Sequence, residues 1–169
     1  MRTCHIIALS PFFPPKKLDI GIVKQMTQKR WYNNGLRFEC IECGDCCKTH
    51  GEYAFVYLSK FDVERISSYL NMTQIDFLNN YCATDEDGEI HLSSLVGDCS
   101  FLENSNRCKI YPVRPKQCDT WPFWIENLNK PTWEGPVSKC CPGIGRGKLY
   151  SKEEIESIAN DRNEWYQKG

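Results

Sequence analysis

The stretch Cys40-Ile-Glu-Cys43-Gly-Asp-Cys46-Cys47 puts four thiols into eight residues. Thiols this close are not core filler. A tight turn rarely meets disulfide geometry twice, because each bridge fixes both a Cα separation and a dihedral. Two residues between cysteines do let a turn aim both sulfurs, with nearby backbone N–H groups, at one ion or cluster. The stretch therefore reads as a thiolate metal site. The rest of the chain must fold so that a later set of cysteines (Cys99, Cys108, Cys118, Cys140 and Cys141) meets it around one small core.

Working outward, residues 1–37 carry prolines and charges with little periodicity. They read as an N-terminal extension with one short helix near 19–31. Residues 38–169 read as one cysteine-cluster metal-binding domain. Within it, 38–52 is loop around the four thiols. Tyr53-Ala-Phe-Val-Tyr-Leu58 is rich in β-formers and predicts a strand. Ser59 with Asp62, and Thr73 with Asp76, are N-cap signals for two short helices. Asp85-Glu-Asp-Gly88 is a turn, and 89–92 returns as a strand. Residues 99–111 form a hairpin around Glu103-Asn-Ser-Asn106. Arg114-Pro115 and Trp121-Pro122 bracket a short helical turn with Cys118. Ser151-Lys-Glu-Glu154 is a capping box for a final helix with Ile155, Ile158, Ala159 and Trp165 on one face. The expected fold is a small single α+β domain. It has an irregular cysteine-rich, metal-centred core with short strands and three or four helices.

Composition narrows the function class. Eleven cysteines in 169 residues would ordinarily suggest a secreted disulfide scaffold. An odd count and two adjacent pairs, Cys46-Cys47 and Cys140-Cys141, oppose that. So does the opening MRTCHIIALSPFFPPKK, whose apolar run is broken by prolines before any small-x-small cleavage pattern. The expectation is a reducing, cytoplasmic setting, where clustered thiols mean metal or redox chemistry. No apolar run approaches the length of a membrane span. Net charge is −1 with signs interspersed, so no basic stripe offers itself to nucleic acid. The basic and aromatic stretch Lys24–Tyr32 reads as a solvated segment. The expected partner is another protein or a redox partner.

Eight cysteines are candidate ligands: Cys40, Cys43, Cys46, Cys47, Cys99, Cys108, Cys118 and Cys141. Thiolate donors suit zinc and iron–sulfur clusters alike. The Cys-x2-Cys-x2-Cys run favours a [4Fe-4S] cluster, and so does Cys141-Pro142, since a ligand followed by proline marks bacterial ferredoxin runs. Zinc is the alternative, because Cys43-Gly44 suits a zinc knuckle equally, and a metal-free dithiol is a third reading. Eight thiols would serve two four-thiolate sites, or one site with spare thiols. Cys82 reads as a small buried hydrophobe, Cys4 as a bystander, and Cys140 as a neighbour or spare ligand. His50 could ligate, though a surface histidine is the plainer reading, and His91 reads as structural. Arg107 and Arg114 would stabilise an anionic centre or simply sit in turns. Trp121-Pro-Phe-Trp124 would shield a cluster or fill core. Gly143-x-Gly145-x-Gly147 lacks the preceding strand of a nucleotide loop and reads as a turn. No carboxylate pair, Ser/His/Asp set or Walker motif is present.

Taken together, the four-thiol run, Gly97-Asp-Cys99-Ser-Phe-Leu, Cys108-Lys-Ile-Tyr111, Arg114-Pro115, Cys118, Trp121-Pro-Phe123 and Cys141-Pro-Gly-Ile-Gly resemble the YkgJ-type cysteine-cluster family. The resemblance covers about residues 38–160. It implies zinc or iron chelation by the eight cysteines and gives no reaction. Flagellin lysine N-methylase contains a similar domain, so the resemblance also admits a protein-modifying enzyme. No segment recognisable as binding S-adenosylmethionine accompanies it here. Trp121-Pro-Phe stands where the family often has Phe-Pro-Phe. Three functions are thus expected in turn: an electron-transfer or accessory module, a zinc-stabilised interaction protein, or an enzyme of the methylase type.

Overall fold

The computed structural model describes residues 30–48, 55–93, 98–104 and 106–168. The helix expected near 19–31 falls almost wholly outside these, as do Cys4, His50 and the start of the strand expected at 53–58.

The first half forms as its caps dictate. Ser59 holds an extended backbone, and its Oγ accepts the Asp62 N–H while Asp62 accepts from the Ser59 N–H. This capping box starts helix α1, Lys60–Tyr69. Thr73 caps α2, Gln74–Tyr81, by accepting the Asp76 N–H at 3.1 Å. The chain then runs into strand β2, Cys82–Thr84, which pairs antiparallel with β3, Ile90–Leu92. The turn between them is organised by Asp85, whose Oδ1 accepts the N–H groups of Asp87 and Glu89.

The strand expected at 53–58 is reduced, among the described residues, to a bridge between Tyr57 and His91. Its other edge is held by a side chain: Gln117 accepts the Tyr57 N–H and donates to the Phe55 carbonyl. Val63, Ile66, Phe77, Leu92, Phe101 and Ile110 form the first core. A fully buried Phe or Ile contributes about 1.5–3 kcal/mol, so even this small cluster is substantial.

The expected hairpin is present as β4, Leu102–Glu103, and β5, Arg107–Cys108. A 3-10 turn at Tyr111–Val113 leads into α3, Lys116–Asp119, the short helix that carries Cys118. The chain next runs through α4, Lys130–Thr132, a π-helical turn at Trp133–Val137 and α5, Ser138–Cys140. Pro136 lies inside that turn, and a widened ladder tolerates its missing N–H.

A pairing not expected from sequence closes the fold. Strand β1, Leu36–Phe38, pairs antiparallel with β6, Lys148–Tyr150, with Leu36 opposite Tyr150. The final helix α6, Lys152–Lys168, follows the Ser151/Glu154 box, in which each side chain accepts the other's backbone N–H as expected. Tyr32, Trp121, Phe123, Trp133, Val137 and Ile155 make the second core. The molecule is a small mixed α+β domain, with three two-stranded sheets and two apolar clusters among the described residues. Asp62, 1% exposed, joins the halves: it takes Arg65, the Lys116 N–H and the Trp165 indole N–H.

Candidate metal centre

Where the two cores meet there is a cavity of about 290 Å3. Leu92, Phe101 and Ile110 line it from the first core, Phe38, Phe123 and Tyr150 from the second. Six of the eight candidate cysteines also line it: Cys40, Cys46, Cys47, Cys99, Cys108 and Cys118. Cys43 and Cys141 are not in that lining, but each lies close enough to feel the charge of Cys46. All eight are free thiols. Three stretches of chain, residues 40–47, 99–108 and 118, thus deliver sulfur to the cavity wall, and Cys141 comes near them.

Local backbone geometry explains the delivery. Glu42 and Gly44 adopt left-handed conformations, φ 53° and 74°, and the Cys47 N–H closes a turn onto the Gly44 carbonyl at 2.9 Å. A 3-10 turn at Asp45–Cys47 follows. The Cys99 N–H donates to the Cys47 carbonyl at 2.7 Å, which stitches the hairpin to the knuckle. The Glu39 N–H donates to the Gly143 carbonyl, which brings Cys141 alongside Cys40. Gly143 is required there, since a Cβ would lie 2.0 Å from the Glu39 carbonyl oxygen.

Four of the sulfurs share one further feature. The backbone N–H two residues on points at each: Asp45 at Cys43, Phe101 at Cys99, Ile110 at Cys108 and Gly143 at Cys141. N–H donors aimed at sulfur favour the thiolate, the form that binds metal.

The electrostatics are those of a crowded thiol set. Hydrogen bonding to Cys108, Cys46 and Cys99 pushes the Cys47 thiol strongly up. The same contacts with Cys47 pull those three partners down, Cys99 to about 7. The Cys46 and Cys47 sulfurs are 4.0 Å apart. Burial pushes Cys43 up to about 11 and Cys118 well above the ordinary thiol value. Burial, then a hydrogen bond to Cys40, pushes the Tyr111 hydroxyl up to about 12.

The donor set is sulfur alone. The acidic residues in the wall are engaged elsewhere: Glu42 faces Arg107, Asp119 pairs with Arg114 at 2.6 Å, and Asp161 pairs with Lys116. No group of three or more thiol, imidazole or carboxylate donors is already gathered as an ion cage among the described residues. The thiols ring a cavity instead. Such a donor set suits soft-ligand metals, zinc or iron–sulfur, and does not suit magnesium or calcium.

Of the other residues conspicuous in the sequence, some join this wall and some lie apart from it. Cys82 packs against the first core away from the cavity, and burial pushes its thiol up to about 11. Cys140 is buried outside the cavity lining. His91 is buried, packs its ring at a tilt against Phe55 with centroids 4.2 Å apart, and shares a hydrogen bond with the Leu92 carbonyl. Arg114 lines the cavity, lies over the Tyr111 ring at 4.2 Å and donates to the Tyr111 carbonyl. Arg107 is largely exposed. Trp121 and Phe123 are at once second-core residues and cavity wall. The roles of Tyr111 at Cys40 and of Gln117 at the edge of residues 55–57 carried no signal in the sequence beyond their nearness to cysteines.

The family of this chain is now evident. It belongs to the CxxCxxCC family, described as a "putative zinc- or iron-chelating domain", which matches residues 39–142. Metal chelation is the property that defines the class. Among curated proteins, the chain is similar to two uncharacterized proteins of Methanocaldococcus jannaschii. One is 31% identical over 124 residues, covering 70% of this chain and 65% of the relative. The other is 29% identical over 135 residues, covering 73% and 43%. The chain thus spans less than two thirds of the length of either relative. No solved structure matches it. Among the described residues, no helix is long and apolar enough to cross a membrane.

Proposed function

We propose that this domain carries a thiolate-held iron–sulfur cluster, [4Fe-4S], and serves as an electron-transfer or accessory module for a protein partner in a reducing, cytoplasmic compartment. The observation that carries this reading is the cavity of about 290 Å3 with six cysteines in its wall. A single ion needs no such space, since even a water molecule takes only about 30 Å3 of liquid volume. The ligands are drawn from Cys40, Cys43, Cys46, Cys47, Cys99, Cys108, Cys118 and Cys141. Cys99 and Cys108, which line the cavity and also have a backbone N–H two residues on directed at them, are the first choice. A bound cluster supplies one-electron chemistry. The chain supplies sulfur donors, amide N–H groups that stabilise them, and an apolar wall of Phe38, Phe123 and Trp121 that limits water.

A second reading, structural zinc, is favoured by one distance. Four sulfurs about 2.3 Å from a zinc ion lie about 3.8 Å from each other, and the Cys46 and Cys47 sulfurs are 4.0 Å apart. Metal and acid-labile sulfide analysis of anaerobically purified protein separates the two. Iron and sulfide in equal amounts, with a visible band that bleaches on reduction, supports the cluster. A colourless protein with stoichiometric zinc removes electron transfer and leaves the structural role.

A further inference from the structure

Three indole N–H groups in this molecule end on oxygen. Trp31 donates to the Leu128 carbonyl at 2.8 Å, Trp124 to the Gln117 carbonyl at 3.1 Å, and Trp165 to Asp62 at 3.0 Å. Trp121 does not. Its side chain is nine-tenths buried, and its Nε1 is shut off from solvent with no acceptor at hydrogen-bonding geometry. Buried N–H groups are rarely left so, because desolvation without a partner is costly. Trp121 forms part of the thiol cavity wall, and Cys141 packs against the same apolar cluster. The acceptor that its N–H approaches is the Cys141 sulfur.

We propose that the Trp121 indole N–H is a hydrogen-bond donor to the Cys141 thiolate of the metal-loaded centre, and so a positioning residue for that ligand. The proposal rests on the metal-binding reading above. A neutral thiol is a poor acceptor, whereas a metal-bound thiolate is a good one, so loading the site supplies the partner that the indole lacks. Both groups are held in place. The Trp121 ring meets Trp124 edge-on at 4.8 Å, and Trp124 is itself anchored through its N–H to Gln117. The Cys141 N–H donates to the Val137 carbonyl at 2.8 Å, and Gly143 is locked against Glu39. With the Gly143 N–H directed at it as well, the Cys141 sulfur would accept two N–H groups. That arrangement orients a ligand and raises the centre's affinity for metal.

The test uses the full chain with 15N-labelled tryptophan, titrated anaerobically with zinc as a diamagnetic probe. Elemental analysis measures bound zinc separately. The indole resonance that disappears in Trp121→Phe is the Trp121 N–H. It is expected to move downfield and to gain exchange protection as zinc binds, more than the indoles of Trp31, Trp124 and Trp165. Trp121→Phe keeps an aromatic ring and loses the donor. It should weaken zinc binding about tenfold or more in competition with a chelator, whereas Trp31→Phe, which removes an indole donor outside the cavity wall, should not. If zinc binds stoichiometrically and the Trp121 resonance stays in place, the proposal is wrong and the metal reading stands. An unchanged zinc affinity in a folded Trp121→Phe overturns the proposal in the same way. Should Trp121→Phe not fold, the Trp121 resonance is assigned by elimination from Phe variants of the other four tryptophans, and its shift and exchange protection in the wild type decide. If neither zinc nor iron binds, the metal reading falls and takes the proposal with it.

Discussion

The Cys99 N–H donates to the Cys47 carbonyl at 2.7 Å, so the two sulfur-bearing segments are joined by backbone before any metal is considered. The knuckle at residues 40–47 and the hairpin at 102–108 are therefore one structural unit. Loss of metal and loss of fold should be inseparable in it.

Cys43→Ser and Cys108→Ser each remove a sulfur that a backbone N–H supports. Both are expected to lose metal and to melt at lower temperature than the loaded wild type. Cys82→Ala, outside the cavity, should keep full metal content and cost only about 1 kcal/mol. Elemental analysis and thermal denaturation on the same samples check this. Full metal content with an unchanged Tm in Cys43→Ser would remove it from the ligand set.

The glycines after Cys141 make a sharper contrast. In Gly143→Ala the new Cβ would sit 2.0 Å from the Glu39 carbonyl oxygen, and backbone cannot yield cheaply. The contact that sets Cys141 beside Cys40 would break, and metal stoichiometry should fall. Gly145 has a left-handed φ of +80° but open space around it. Gly145→Ala should cost only about 1–2 kcal/mol of backbone strain and leave metal content intact. Equal metal content in the two variants would refute the role of Gly143 in setting Cys141.

Asp62 is a buried carboxylate that takes donors from Ser59, Arg65, Lys116 and Trp165. Asp62→Ala strands several of them at once. The expected loss is about 3 kcal/mol or more in urea unfolding, and a loss below about 1 kcal/mol would show that the hub relaxes readily.

Asp85 gives a pH dependence of known sign. Burial raises its carboxyl, but the N–H groups of Glu89 and Asp87 and the Tyr57 hydroxyl outweigh that and leave it below the ordinary carboxylate value. A group lowered on folding stabilises fully above its unfolded pKa of about 3.9, and that contribution disappears as pH falls through the folded value. The Tm difference between wild type and Asp85→Asn should therefore be constant near neutrality and shrink in acid. A difference that grows in acid would reverse the assignment.

Much of this was legible in the chain because local rules govern it. The Ser59, Thr73 and Ser151 caps start helices where those residues stand, and the polar turn before Arg107 makes the hairpin. The convergence of thiols from residues 40–47, 99–108 and 118 was foreshadowed by spacing and turn chemistry. What escaped is non-local or too short to have a pattern. Strands β1 and β6 are three residues each, below the length at which alternation can speak. Over the described residues 55–58 of the strand expected at 53–58 there is only a bridge, flanked by a side-chain clamp from Gln117, a partner remote in sequence. The arrangement at Trp121 is tertiary throughout: an N–H without an oxygen leaves no trace in composition.

The way that separate stretches of chain converge on one cavity also bears on the protein's lifetime. An unfolded chain must close several long loops before those sulfurs meet, and each closure costs entropy. A ligand that binds only the assembled site offsets that cost and shifts the population away from open forms. Proteases act on the open forms. The amount of this protein that persists in a cell should therefore track metal supply, with starvation registering as degradation before it registers as lost activity.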